Sequence, residues 1–323
     1  MDMSDWYSRM TLEVILSTAF GVQADIQNDN ESLLLERAKE VFRAPWIVNI
    51  LKQFPPIGGY MLKFMSRVRR REGYFDKVAS DIVQQRRKTG LTGRQDLVDL
   101  MLTAHEESTE EGISKLTDEE IVGQCVIFLF AGYETLSNTL AYTTYHLALN
   151  EDVREKLREE IKLAVKSNPD STLYDLAHNV EYLDCGISET LRLNPPFPQL
   201  NRECMEDYEF NGLHIAAGLE VIIPVYFLHR DLDAWAEPEK FYPDRFLSPA
   251  KDTRHPYQFM PFGTGPRSCI GMRFALMEVK ITLVKILTKY KFVRSLTTQV
   301  PLKIRAGLTL VPEDGVHVRI EQV

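Results

Sequence analysis

Apolar residues recur at helical spacing through the first two thirds of the chain. This repeat predicts amphipathic helices, which we place at 12–20, 33–50, 63–88, 117–149, 151–166 and 181–193. The segment Thr117-Asp-Glu-Glu120 has the pattern of a capping box and marks the start of the longest helix. That helix meets no proline before Leu149 and would be roughly 50 Å long at 1.5 Å per residue. A helix of this length can run through the middle of a domain.

The pattern changes after Pro196. Segments 208–216 and 219–223 favour strands, and Asn211-Gly212 is a preferred hairpin turn. Residues 231–268 show no clear period, a helix resumes over 272–290, and short strands follow to the end. The sequence therefore predicts a mainly α fold with a small β region and one long irregular loop. Such a loop in a compact domain is usually functional.

Two breaks interrupt the helical part. Residues 54–59 form a cluster of prolines and glycines, and residues 105–120 are acidic and rich in turn formers. We interpret the first as the breaker that ends the second helix and the second as a surface connection, and we expect one domain over residues 1–323. Its helical part would cover about 1–200, and its β region and irregular loop about 200–323.

Composition and charge exclude several classes of protein. With 44% hydrophobic and 26% charged residues, the 323-residue chain has ordinary globular composition. A net charge of −8 argues against nucleic-acid binding by the protein as a whole. Its four cysteines form no Cys-x-x-Cys pair, which disfavours a disulfide framework, a zinc site and a redox dithiol. The longest apolar stretch, 121–132, is shorter than the about 20 residues of a membrane span.

The strongest chemical signal is the segment 262–271, Phe-Gly-Thr-Gly-Pro-Arg-Ser-Cys-Ile-Gly, directly before a predicted helix. Its glycines permit unusual backbone angles and a close approach to a flat cofactor. The positive end of the following helix favours the thiolate of Cys269 over the thiol, and Arg267 can reach an anionic group on the cofactor. The alternative is a glycine-rich turn that carries an incidental buried cysteine.

These residues resemble the cysteine-ligand loop of the cytochrome P450 superfamily, the haem-thiolate monooxygenases. The resemblance implies the cytochrome P450 fold and haem, iron protoporphyrin IX, as cofactor. It also makes Cys269 the axial ligand of the iron. Phe262 would shield the sulfur and Arg267 would bind a propionate. Gly263 and Gly271 would also line the cofactor site.

A second motif matches the same family. Glu189-Thr-Leu-Arg192 resembles its Glu-x-x-Arg, and a spacing of three places both side chains on one helical face. The loop 241–246 matches the segment whose arginine, here Arg245, joins that pair in family members. By resemblance these three residues form a structural network that locks the irregular loop carrying Cys269. On the pair alone, the alternative is a surface salt bridge of little energetic value.

The third motif is Ala131-Gly-Tyr-Glu-Thr135 in the long helix. The Thr135 hydroxyl can bond the carbonyl of Ala131, four residues earlier, which would strain the helix and open a groove. In the family this groove lies over the iron, and an acid–alcohol pair relays protons to bound dioxygen. That pair would be Glu134 and Thr135. The alternative is a glycine-softened core helix with an outward glutamate.

The match to the animal drug- and steroid-oxidising branch, which also contains thromboxane synthase, extends beyond these motifs. On that alignment Arg202 takes the place of a propionate-binding arginine. Pro196 and Phe197 fall in a substrate-contacting turn, and Phe130 falls beside the iron. Thromboxane synthases lack the threonine found here at position 135, so Thr135 favours a monooxygenase.

The resemblance implies a haem-thiolate monooxygenase that inserts one atom of dioxygen into a small lipophilic substrate: a steroid, a fatty acid or a xenobiotic. Electrons would come from an NADPH-dependent reductase, because the sequence lacks a dinucleotide fingerprint between strand and helix. The complete protein would associate with the endoplasmic reticulum membrane on its cytosolic face. One alternative is a haem-thiolate isomerase of the thromboxane-synthase type, which uses a hydroperoxide and no reductase. The other is a truncated, haem-poor chain without catalytic activity.

The front of the family pattern has no counterpart in the sequence. Residue 1 aligns after the start of the family's helical domain, so we expect an N-terminally truncated fold that lacks roughly the first third of a typical member. That third would include the membrane anchor. Because apolar surface would then be exposed, we expect the chain expressed alone to be poorly soluble and substoichiometric in haem.

Overall fold

The computed structural model describes residues 1–29, 31–42, 73–90, 95–107 and 116–323. These residues divide into two compact units. The larger unit comprises Met1–Tyr7 and Thr135–Val323, and the smaller unit comprises Ser8–Glu134. The predicted cluster at 54–59, much of the acidic stretch at 105–120 and the ends of two predicted helices, 43–50 and 63–72, lie outside the described residues.

Helices make up most of the described chain. They are α1 Met3–Phe20, α2 Leu33–Phe42, α3 Tyr74–Thr89, α4 Leu97–Glu107, α5 Asp118–Leu149, α6 Glu151–Ser167, α7 Leu173–His178, α8 Glu181–Leu193, α9 Val225–Leu228 and α10 Met272–Leu287. The strands are β1 Leu200–Glu203, β2 Tyr208–Phe210, β3 Leu213–Ile215, β4 Glu220–Ile223, β5 Tyr290–Val293, β6 Ile304–Ala306, β7 Leu310–Pro312 and β8 Arg319–Gln322. No helix in the described ranges is both long enough and apolar enough to cross a membrane.

The strands pair in four small antiparallel sheets, β1 with β4, β2 with β3, β5 with β8 and β6 with β7. The β2–β3 hairpin turns at Asn211 and Gly212, whose φ angles of 49° and 78° are those the Asn-Gly signal predicts. A mainly α fold with a small β region is therefore confirmed.

The helix starting at the predicted capping box has the expected hydrogen bonds. The Glu120 amide donates to Thr117 Oγ1 at 3.2 Å, and the Thr117 amide donates to Glu120 Oε2 at 2.7 Å. These bonds satisfy donors that the first helical turn would otherwise leave without a partner. Helix α5 then continues to Leu149, as predicted.

The predicted helix over 272–290 ends earlier in the structure. Helix α10 stops at Leu287, and Tyr290 begins strand β5, where it pairs with Gln322. The strand conformation of Tyr290 thus depends on pairing with Gln322, a residue distant in the sequence. A local periodicity argument has no access to such a partner.

A buried charge cluster lies in the smaller unit. Arg86 on α3 donates to both carboxylate oxygens of Asp96, at 2.9 and 2.8 Å, and also bonds Asp99 on α4. Its remaining bond goes to the carbonyl of Phe20, at the end of α1, at 3.0 Å. These carboxylates raise the pKa of Arg86, so the guanidinium stays charged. The cluster joins the ends of three helices through one side chain.

Candidate functional site

The cysteine loop is a tight backbone turn. Gly263 and Gly265 have φ angles of 70° and 74°, in the left-handed region that favours glycine. The Cys269 amide donates to the Phe262 carbonyl at 2.9 Å, and a short 3₁₀ turn spans Gly265–Arg267. The loop therefore closes on itself and brings Phe262, Gly263 and Cys269 together.

Cys269 lies just before helix α10, which begins at Met272. The Ala275 amide donates to the Gly271 carbonyl at 2.8 Å, so Gly271 caps this helix. Cys269 is exposed and lies two residues before Gly271, the N-cap of this helix.

The buried cysteines differ from Cys269. Burial raises the pKa of the Cys125 and Cys185 thiols to about 11. Neither thiol is a thiolate at neutral pH, and neither lies at a helix N-terminus, since both fall inside helices.

Strand β1 lies against the cysteine loop. A methyl group at Gly263 would lie 3.6 Å from Leu200 Cδ1. Because side chains two apart in a strand share a face, Arg202 lies on the same face of β1 as Leu200, and both are half-buried. Arg267, from the loop itself, is exposed. The loop therefore has cationic side chains on it and on the adjacent strand.

The two predicted substrate-contacting residues before β1 differ in exposure. Pro196 is buried, and its carbonyl accepts a hydrogen bond from the Leu310 amide at 2.9 Å. Phe197 is exposed. Pro196 is thus fixed to strand β7, whereas the Phe197 ring is available for contact.

The residues of the loop fit haem. A methyl group added at Gly265 or Gly271 would meet no atom within 4 Å, so the backbone offers an open surface there. The side chain of Ile270, next to the exposed thiol, is 87% exposed, which supplies an apolar contact. A thiol at a helix N-terminus, an apolar surface and two arginines match an iron porphyrin with anionic propionates.

The larger unit also contains a charge network built around the fully buried Glu189 and Arg192, which the half-buried Arg245 joins. Glu189 Oε2 accepts from Arg192 Nε at 2.7 Å, and Glu189 Oε1 accepts from Arg192 Nη2 at 2.9 Å. The same Oε1 accepts from Arg245 Nε at 3.1 Å and from the Tyr242 amide at 2.9 Å. Glu189 and Arg192 have no exposed surface. The structure thus brings together Glu189, Arg192 and Arg245. The pair of Glu189 and Arg192 is buried and is not a surface salt bridge.

This network also holds the backbone of the irregular loop. Arg192 donates to the carbonyls of His229 and Lys240, at 2.8 and 3.3 Å. Arg245 donates to the carbonyls of Ala236 and Glu237, at 3.0 and 3.3 Å. Two arginines thereby satisfy carbonyls that lack strand or helix partners.

Sequence reasoning missed two residues around this network, Arg254 and His229. Arg254 donates to the Arg245 carbonyl at 2.6 Å and lies over the rings of Trp235 and Phe246, at 4.4 and 4.5 Å. His229 is fully buried and bonds both Arg192 and Met260. The sequence signal available for them was weak, because neither residue lies in a periodic segment.

The motif over 131–135 falls in the middle of α5, and the boundary between the units falls between Glu134 and Thr135. Glu134 is buried, Thr135 is half-buried and Ala131 is exposed. The predicted bond from the Thr135 hydroxyl to Ala131 stays a prediction.

Helix α1 packs on the same motif within the smaller unit. The Thr11 hydroxyl donates to the Tyr133 carbonyl at 3.1 Å. A methyl group at Gly132 would lie 2.7 Å from Ile15 Cδ1, so the glycine is required by the packing of Ile15. Thr11 and Ile15 are one helical turn apart, so both contact the motif from the same face of α1.

Phe130 lies in an aromatic cluster of the smaller unit. Its ring meets Phe42 and Phe75 edge-on, with centroids 5.7 and 4.7 Å apart. Phe42 also contacts Tyr133 at 6.1 Å. The ring that the resemblance places beside the iron is therefore held by helices α2 and α3.

Threonines follow the motif at intervals of four. The Thr139 hydroxyl donates to the Thr135 carbonyl and the Thr143 hydroxyl to the Thr139 carbonyl, both at 2.8 Å. Such bonds compete with the helical ladder and tend to bend a helix. The Thr135 carbonyl therefore has a side-chain partner that the sequence analysis did not consider.

Glu278 is a buried carboxyl group on α10. Neither of its oxygens has a hydrogen-bond partner among the described residues, and burial raises its pKa to about 8. The folded protein thus binds a proton that the unfolded chain releases at its ordinary pKa of 4.5. This contribution to stability is fully present below pH 4.5 and is lost as the pH rises through 8.

Substitution of Glu278 by glutamine should remove this pH dependence. Between pH 5 and 8 we expect the free energy of unfolding to shift by about 3 kcal/mol in favour of Glu278→Gln over the wild type. Urea unfolding at several pH values measures the shift. The exposed Glu206→Gln is the control and should run parallel to the wild type. If the free energy of unfolding of Glu278→Gln followed the same pH dependence as that of the wild type, the Glu278 carboxyl would be ionised in the folded protein.

Comparisons with known proteins identify the family of the chain. The sequence model of the Cytochrome P450 family matches residues 1–318. Similar proteins include cytochrome P450 3A2 of Rattus norvegicus, 40% identical over 326 residues, and cytochrome P450 3A29 of Sus scrofa, 38% identical over 325 residues. Each alignment covers 98% of this chain and 64% of the relative, so the chain spans less than two thirds of the length of these relatives. The chain therefore belongs to the cytochrome P450 family.

Proposed function

We propose that this chain binds haem through Cys269 and is the haem-thiolate part of a monooxygenase. The reaction would insert one atom of dioxygen into a small lipophilic substrate, such as a steroid, a fatty acid or a xenobiotic. The observation that carries the proposal is the exposed Cys269 at the N-terminus of α10, in a loop fixed by glycines and backed by the Glu189 network. Haem bound there would supply iron that binds and activates dioxygen, with the thiolate donating electron density to it.

The chain's own residues have separate tasks in this proposal. Arg202 and Arg267 bind the propionates by charge-assisted hydrogen bonds. Phe262 would shield the sulfur once haem is bound, and Gly263 and Gly271 permit the cofactor's close approach to the backbone. These tasks need a rigid backbone, which the bonds from Cys269 to Phe262 and from Ala275 to Gly271 provide.

Glu134 and Thr135 would move protons. The Thr135 hydroxyl both donates and accepts hydrogen bonds, and a buried carboxyl at Glu134 can hold a proton beside it. Because residue 132 is a glycine, Ile15 of α1 can pack closely against this part of α5. On this proposal Phe130, Pro196 and Phe197 contact the substrate.

Partners and location follow from the same proposal. The electrons come from an NADPH-dependent reductase, and the complete protein works at the cytosolic face of the endoplasmic reticulum membrane. Support comes from membership of the family and from the absence of a dinucleotide fingerprint in the sequence.

The test is product formation under two regimes. The 323-residue chain, alone and fused behind the leading segment of the rat relative, is supplied with haem and with either reductase, NADPH and dioxygen or a lipid hydroperoxide. A monooxygenase gives an oxygenated product with label from ¹⁸O₂ only in the first regime. An isomerase would instead convert the hydroperoxide in the second regime and give no oxygenated product in the first.

Replacing Thr135 by alanine should uncouple the reaction. We expect the fraction of NADPH electrons recovered in product to fall roughly tenfold or more, because the hydroxyl acts as a proton donor after haem and substrate have bound. The balance between NADPH consumed, product and hydrogen peroxide measures the coupling. Thr135→Ser keeps the hydroxyl and should retain most of it. Unchanged coupling in Thr135→Ala would reduce Thr135 to a packing residue of the helix.

A further inference from the structure

His229 forms a hydrogen-bonded bridge inside the larger unit. Its Nε2 accepts from the Met260 amide at 2.9 Å, and its Nδ1 lies 3.3 Å from the Arg192 carbonyl. An amide nitrogen is a donor only, so Nε2 must be the unprotonated nitrogen of the ring. The proton is therefore on Nδ1, which donates to Arg192. These two bonds fix one tautomer.

The surroundings of His229 keep the ring neutral. The side chain is fully buried, and its ring packs against Phe259 with centroids 5.3 Å apart. Burial, together with the nearby charges of Arg192 and Arg230, lowers the pKa of His229 to about 4. The acceptor at Nε2 is thus available at neutral pH.

The bridge joins two parts of the site already described. Arg192 belongs to the Glu189 network at the end of α8, and Met260 lies two residues before Phe262, where the cysteine loop begins. The Met260 carbonyl in turn accepts from the Gly263 amide at 3.1 Å. A continuous set of hydrogen bonds therefore runs from Glu189 through Arg192, His229 and Met260 to the first glycine of the loop.

We propose that His229 is a positioning residue, which fixes the start of the cysteine loop relative to the end of α8 through its bond to the Met260 amide. The proposal concerns the loop itself, and only its meaning for haem ligation rests on the proposed function. Without the bond, the Met260 amide would lose its hydrogen bond to His229, and Gly263 would lose the hydrogen-bonded connection to the buried network that runs through Met260.

Three variants of the 323-residue chain separate positioning from packing. His229→Phe keeps a ring of similar size but bonds neither neighbour. His229→Gln restores an acceptor at the position of Nε2. His146→Phe is the matched control, because His146 is also a histidine with a lowered pKa beside Arg192 and Arg230, yet it bonds Asn194 and stacks on Phe241.

Amide hydrogen exchange is the primary readout and requires no haem. Loss of one buried hydrogen bond should reduce protection of the Met260 and Gly263 amides roughly tenfold in His229→Phe. Protection should return to within about threefold of wild type in His229→Gln and stay unchanged in His146→Phe. The amide of Leu157, inside α6, reports global unfolding, and the loss at Met260 must exceed any loss there.

A second readout connects the loop to ligation. In the haem-loaded protein, His229→Phe should reduce the fraction of the ferrous–carbonyl complex with the red-shifted Soret band of a thiolate ligand, and His229→Gln should restore it. Equal exchange at Met260 in wild type and His229→Phe, or equal loss in His229→Phe and His229→Gln, would overturn the positioning proposal. If the exchange pattern appears while the wild type shows no thiolate band, the positioning role stands and the proposed function fails.

Discussion

Replacing Glu189 by alanine should lower the free energy of unfolding of the larger unit by about 3–5 kcal/mol. The carboxylate accepts from two arginines and one backbone amide, with no exposed surface. Its removal leaves the buried Arg192 and the half-buried Arg245 without their anion, and it removes the acceptor of the Tyr242 amide. We therefore expect loss of haem occupancy and of soluble protein, with turnover per remaining haem unchanged.

Urea unfolding and haem content per chain measure this effect. Glu159→Ala is a matched control, since Glu159 also pairs with a cation three residues later, Lys162, at 2.6 Å. That pair is exposed, and such pairs contribute little. A Glu189→Ala protein that is stable, fully loaded with haem and inactive would make Glu189 a catalytic residue instead.

Replacing Cys269 by alanine should abolish thiolate ligation completely. The red-shifted Soret band of the ferrous–carbonyl complex requires a sulfur anion on the iron, and Cys269 is the exposed cysteine at a helix N-terminus. The absorption spectrum of the reduced, carbon monoxide-treated protein gives the answer directly, in the 323-residue chain and in its fusion.

The other cysteines provide the controls for that experiment. Cys125→Ala, Cys185→Ala and Cys204→Ala should each keep the band. Cys125 and Cys185 are protonated inside helices, and the Cys204 thiol donates to the Glu206 carbonyl at 3.0 Å. A thiolate band in Cys269→Ala would refute the assigned ligand and with it the proposed function.

Local signals explain which elements could be predicted. Helices such as α6 and α8 bury one face, so apolar spacing indicates them, and the Thr117–Glu120 capping box marks a helix start through bonds between near neighbours. Helix α7 was missed although Thr172 and Asp175 form a similar box. At six residues, α7 has too few apolar positions to show a period.

The site residues also differ in whether their signals are local in the sequence or depend on distant partners. The glycines around Cys269 and the spacing of Glu189 and Arg192 can be read from neighbouring residues. The partner role of Arg245 came only from resemblance, because it joins Glu189 across 56 residues. His229 was missed since its bond to Met260 spans 31 residues and ends on a backbone amide, which has no sequence signature.

The long separations within the Glu189 network have a consequence for synthesis on the ribosome. Helix α8 is made before the partners of its buried charges: the His229 carbonyl follows Arg192 by 37 residues, and Arg245 follows Glu189 by 56. At a translation rate of about 5–20 residues per second, Arg245 is added roughly 3–11 seconds after Glu189. During that interval Glu189 is paired with Arg192 within the helix, but the carbonyls that Arg192 binds and the second arginine of Glu189 have not yet been made. We therefore expect the buried network around α8 to be completed only after the irregular loop has been translated.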